Sequence, residues 1–231
     1  MLLNKNKKKI IIRRAEREDV DRLIEIEHKA WGKDLAANKE MILSRLAAFP
    51  EGMNCAIVEN QIRGFCSMER INLEDYLEKD LTWYVLSDNG YITKSHNKNG
   101  RSIYGVSMSV DPKVSDKRVA VRLYESCGKL AIKLNLEKIF LGSRVPKYHR
   151  YSKSMNINDY VYAITKRGRP LDPELALYRS IGMKIEKIVP NYFIDPESEN
   201  YGVIVSWRNP FYFISKYSNI IARFFSLLFN L

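Results

Sequence analysis

Apolar residues recur with two periods along the chain. The clearest alternation runs over residues 103–110, IYGVSMSV, where apolar and small side chains take turns and predict a buried strand. Asp111-Pro112 ends it, because proline cannot donate to a ladder. After a short polar loop, Val119, Leu123, Cys127, Leu130 and Leu134 fall at helical spacing. The unit is a strand, a loop and a helix, and the amides at the helix start suit an anion. Ahead of it, residues 10–12 open a first strand. Residues 19–29 read as a helix with Val20, Leu23, Ile24 and Glu27 at turn spacing. A second helix covers 39–49, with Met41, Leu43, Leu46 and Ala47 as its apolar positions. Residues 54–59 and 63–70 form a hairpin around Asn60-Gln61.

Behind the central unit, 138–142 reads as a strand. Asp172-Pro173-Glu174 starts a helix: Asp caps, Pro occupies the first turn and Glu favours the positive end. Gly182 stops it, and 184–189 and 201–207 are the last strands. Two long stretches, 73–99 and 143–168, lack periodicity, and such insertions in a compact domain often carry function. Residues 209–231 differ again. Ser215, Asn219, Arg223, Ser226 and Asn230 share one stripe, and Phe, Ile and Leu cover the rest, as in an amphipathic helix.

Composition divides the 231 residues into a basic tail over 1–9, a main domain over 10–208 and the apolar appendage over 209–231. With 45% apolar residues, the chain can bury a full core. Its net charge of +11 attracts phosphates, and Lys5, Lys7, Lys8 and Lys9 crowd the N-terminus. No zinc-finger or RNA-recognition signature is present, so nucleic acid is not an expected partner. Three cysteines, Cys55, Cys66 and Cys127, lie in apolar runs and read as buried free thiols in a reducing compartment. No spacing suggests a metal site. Neither a signal-peptide core nor an apolar run of about 18 residues is present. A cytoplasmic protein is expected, peripheral to a membrane or dimeric if 209–231 serves as a contact face.

The central order is specific: apolar strand, Asp-Pro, a hydrophobe, three polar residues, then Arg-Val-Ala-Val-Arg-Leu-Tyr. It resembles the coenzyme A loop of the GNAT superfamily of N-acyltransferases. Ser115 stands where that loop usually has Gln or Arg, Arg118 at its first Gly, and Ala120 fits its last small position. The chain is similar above all to a GNAT subgroup often fused in front of a carbon–nitrogen hydrolase domain. The shared stretches are Thr82-Trp83, Gly90-Tyr91, Ser95-His96, Tyr104-Gly105-Val106, Arg122-Leu123-Tyr124, Gly142-Ser143-Arg144 with Pro146, Tyr148-His149-Arg150-Tyr151, Leu171-Asp172-Pro173, Pro190-Asn191-Tyr192 and Tyr201-Gly202-Val203. They span about residues 10–210, and no hydrolase domain is expected.

The resemblance implies an α/β (α+β) fold: a mixed, mostly antiparallel sheet with a V-shaped split between its central strands and helices on both faces. It implies transfer of an acyl group, acetyl or a longer fatty chain, from an acyl-CoA to an amine, with no metal. The amine belongs to a small molecule, a lysine or a peptide. The resemblance places the thioester against Ser107, Met108, Ser109 and Val110, and the pyrophosphate against Ser115, Asp116, Lys117, Arg118, Val119, Ala120 and Val121. Tyr178 is the expected proton donor to the thiolate. Glu69, His96 and His149 are the candidate proton acceptors. Arg144, Tyr148 and Tyr151 either line the acceptor side or hold the long loop. The alternative is a non-catalytic GNAT-like module that binds an acyl-CoA or a partner.

Overall fold

The computed structural model describes residues 8–33, 35–76 and 81–212. Most of the basic tail and nearly all of the apolar appendage therefore lie outside the described residues. The elements follow the order β1 (Ile10–Arg14), α1 (Val20–Trp31), α2 (Lys39–Ala48), β2 (Met53–Val58), β3 (Gln61–Ile71), α3 (Trp83–Leu86) and β4 (Ser102–Val110). Then come α4 (Arg118–Lys133), β5 (Lys138–Ser143), α5 (Ile157–Tyr162), α6 (Pro173–Ser180), β6 (Lys184–Val189) and β7 (Gly202–Arg208). Each strand and helix expected within residues 10–208 forms within two residues of its predicted ends, and the helix expected over 209–231 lies outside the described residues.

Seven strands make one sheet in the order β1-β2-β3-β4-β5-β7-β6. Every neighbouring pair is antiparallel except β4 and β5, which run parallel. Alternation along β3 divides the core. Phe65 faces α1 and α2, where Leu23, Ile26 and Ile42 close a first cluster. Cys66 and Met68 face α4, where Val119, Leu123 and Cys127 join the larger cluster. All three cysteines are free and buried. Among the described residues no helix is long and apolar enough to cross a membrane.

One face was misassigned by the apolar pattern. In α2 the buried residues are Ile42 and Arg45, while Ala47 is exposed and Met41, Leu43 and Leu46 are half-buried. The helix turns Arg45 inward because oxygen acceptors wait for its guanidinium there. A count of apolar positions does not register that.

The parallel pairing is short. β4 meets β5 only from Ser102↔Lys138 to Gly105↔Leu141. Beyond Gly105, β4 stays with β3 as far as Val110, and β5 stays with β7. The two strands splay apart, so backbone groups on that edge of β4 open onto the split. A bulge marks the start of the split. Met68 pairs with Gly105 and Ser67 with Ser107, which leaves Val106 extra. The Trp83 indole donates to the Val106 carbonyl at 2.8 Å.

Candidate active site

A cavity of about 550 Å³ occupies the split, with residues from both faces of the sheet in its wall. On the α1 and α2 side stand Glu27, Trp31 and Arg45; on the α4 side stand Met108, Ala120, Tyr124 and Tyr178.

The α1 and α2 side is organised by two serines of β4. Ser107 and Ser109 are two residues apart, so their side chains share a face. Ser109 donates its hydroxyl to the Glu27 carboxyl and accepts from the Trp31 indole at 2.8 Å. Arg45 donates through Nη1 to Ser107 and to Ser67, each at 3.2 Å, and through Nε to the Gly90 carbonyl at 2.6 Å. Gly90 has a φ of +87°, and a Cβ there would lie 2.8 Å from the Trp83 ring and 2.9 Å from Arg45 Nη2. Only glycine fits that turn. Burial pushes the Glu27 carboxyl above its ordinary range, against the pull of Arg45, the Ser109 hydroxyl and the Ala37 amide. Burial lowers the Arg45 pKa.

On the α4 side the Tyr124 hydroxyl donates to Tyr178 at 3.1 Å, with the rings edge to face at 5.5 Å. Burial, then the neighbouring Tyr124, pushes the Tyr178 phenol far above its usual value, so it holds its proton. The loop before α4 is shaped by its own acids. Asp111 accepts from the Lys113 amide at 3.1 Å, and Asp116 accepts from the Arg118 amide at 3.0 Å. The Arg118 guanidinium folds back onto Asp116 at 2.6 Å. Ser115 and Lys117 are exposed on this loop. Ala120 reaches the cavity, as do Ser107, Met108 and Val110 of β4, whereas Val119 is buried in the core. Val121 faces a smaller cavity between α4 and β5.

The other expected site residues lie elsewhere. Glu69 is fully buried away from the cavity wall; Ser95 donates to its Oε2 at 2.6 Å and its Oε1 has no partner. Burial pushes its carboxyl up to about 8, opposed by Ser95 and Arg45. His96 accepts from the Arg70 amide at 3.1 Å and stacks on Phe49 at 4.8 Å, so it fixes the 81–101 loop. His149 is exposed and pairs with the Glu197 carbonyl at 3.0 Å. Tyr148 is buried against Tyr160 and Tyr201, and Tyr151 packs on Tyr160. Both tyrosines hold the long loop. Arg144 does line the cavity, gripped by Asp195 at 2.8 and 2.9 Å and set over the Trp31 ring at 5.5 Å. Sequence reasoning gave no site role to Glu27, Trp31 or Arg45, nor to Tyr124, which it met only as part of a shared stretch. For Glu27 a signal existed: it is a charge on the apolar stripe of α1.

Glu69 carries its own prediction. Its folded pKa of about 8 lies above the ordinary 4.5. The folded state therefore binds the proton more tightly, and stability falls as pH rises between those values. Glu69→Gln is expected to remove that decline. Urea melts at several pH values check it, and an unchanged slope refutes the assignment.

No family model matches the chain. It is 30% identical over 207 residues to the uncharacterized N-acetyltransferase YkwB of Bacillus subtilis (strain 168), across 88% of this chain and 90% of that protein. The chain belongs to the GNAT superfamily of N-acyltransferases. A second relative in that organism, the probable hydrolase YhcX, is 36% identical over 208 residues. The match takes in 90% of this chain, which spans only 40% of YhcX. Among solved structures, the loading GNATL domain of CurA from Lyngbya majuscula superposes with a TM-score of 0.77 at 25% identity. That match covers 87% of this chain and 98% of the domain. The GphF GNAT-like decarboxylase, solved with isobutyryl-CoA, gives 0.70 at 25% identity over 86% of this chain and 99% of its own. These likenesses agree with the mixed, mostly antiparallel GNAT sheet.

Proposed function

We propose that the chain is an acyl-CoA-dependent N-acyltransferase whose two substrates meet in the split between β4 and β5. The observation that carries this reading is the cavity itself, which joins a tyrosine pair on one face to a carboxyl and a guanidinium on the other. The acyl-CoA lies on the α4 side. Amides of Ser115 to Ala120, with the Lys117 charge, hold its pyrophosphate at the helix start. The open edge of β4 around Met108 holds the thioester carbonyl. The amine acceptor lies on the α1 and α2 side.

The chemistry follows from that placement. The amine nitrogen attacks the thioester carbonyl, and an N–C bond forms as the C–S bond breaks. Of the carboxyls considered, Glu27 stands in the cavity wall, where burial raises its pKa and makes its carboxylate the stronger proton acceptor. Tyr178 keeps its proton and gives it to the departing thiolate, and Tyr124 holds its hydroxyl in place. Glu69, His96 and His149 act on the scaffold in this reading.

Thiol release from a series of acyl-CoA donors, with a panel of amines, tests the proposal. Tyr178→Phe is expected to lower kcat by about a hundredfold while leaving acyl-CoA affinity nearly unchanged. Affinity that climbs with chain length would assign a fatty acyl donor. Binding without turnover for any donor would leave the non-catalytic module.

A further inference from the structure

The acceptor side of the cavity holds a cation that the transfer chemistry does not use. Arg45 is 1% exposed, yet it lines the cavity. Its Nε and Nη1 are bonded, but among the described residues Nη2 has no hydrogen-bond partner. No carboxylate of the described residues forms an ion pair with it. Glu27 and Glu69 act on it only at longer range. Burial pushes the Glu69 carboxyl toward its neutral form. A guanidinium stays charged in proteins, and a buried charge without a counter-ion is costly. The site is built to be completed by an anion.

We infer that Arg45 binds a substrate carboxylate on the acceptor side of the cavity, so that the molecule read there is an acid. The inference rests on the acyltransfer reading for the identity of the two substrates. A carboxylate matches the open edge of the guanidinium. It also carries a single charge, which suits a chamber whose wall already holds the Glu27 carboxyl. Ser107 beneath Arg45 and Ser109 beneath Glu27 are about 7 Å apart along β4. That spacing sets an acid-binding group and a proton acceptor side by side, as an amino-acid acceptor requires. The same chemistry would also hold the far carboxylate of a dicarboxylic acyl-CoA.

Paired titrations separate the two sources. In the acceptor arm, β-alanine is compared with propylamine by calorimetry, with and without coenzyme A. In the donor arm, succinyl-CoA is compared with butyryl-CoA. The acid is expected to bind on the order of ten- to a hundredfold tighter in one arm. Arg45→Met is expected to erase that preference. Arg45→Lys, which keeps the charge, should retain part of it. Equal affinities in both arms of the unaltered protein overturn the proposal, whether or not the variants fold. If no CoA thioester binds but β-alanine still does so through Arg45, the acyltransfer reading falls and the carboxylate site stands.

Discussion

Glu27→Gln is expected to lower kcat by at least about a hundredfold and to remove the acidic limb of the pH profile. A proton acceptor works only when ionised. Burial raises the Glu27 carboxyl above its ordinary range, so activity should climb with pH through that raised value. Glutamine keeps the shape and can still accept from Ser109, but it cannot take a proton. The fold should survive, because a carboxyl whose folded pKa is raised loses its contribution as pH rises. The decisive measurement is kcat between about pH 5 and 9 for both proteins. A variant that keeps the same acidic limb would move the role to another group.

Gly202→Ala is expected to destabilise the domain by about 3 kcal/mol and to lower Tm by roughly 6–12 °C. The Tyr192 ring lies across two neighbouring strands where only glycine leaves space. A Cβ at Gly202 would come within 2.3 Å of its Cγ and Cδ1, and one at Gly142 within 1.9 Å of its hydroxyl. The ring cannot swing aside. Its amide donates to Asn200 at 2.8 Å, its carbonyl accepts from Trp83 at 2.8 Å, and its hydroxyl bonds Tyr104. Tyr192 also lines the cavity, so crowding there displaces the wall as well as the core. Pairing Gly202→Ala with Tyr192→Leu should restore part of the loss, because the two changes share one contact. A single variant melting within about 1 °C of the parent would disprove this account.

The fold was largely legible because its signals are local. The strand ending at Asp111-Pro112, the helical stripe from Val119 to Cys127 and the Asp172-Pro173-Glu174 start each record a backbone requirement. The motif pairs of the family also mark structural needs: Gly90 frees space for Trp83 and Arg45, and Gly142 and Gly202 accommodate Tyr192. The acceptor side was less legible. Glu27 sits on a stripe read as apolar and Arg45 on a face of α2 that the apolar pattern left out, and their partners Ser107, Ser109 and Gly90 are distant in sequence. Periodicity reports which face turns inward, not which charge waits there. Histidines drew attention for their titration range, yet His96 is bound to the backbone of β3 and His149 to the Glu197 carbonyl.

The brevity of the β4–β5 pairing, four residues on each strand, has a kinetic meaning. On the proposed acyltransfer reading, a split lined from both faces of the sheet gives donor and acceptor separate doors, one on each face. Neither must leave before the other enters. The acyl group then moves directly between two bound partners, through a ternary complex, and no covalent acyl-enzyme stage has to be visited. Each product can depart on the side from which its parent arrived.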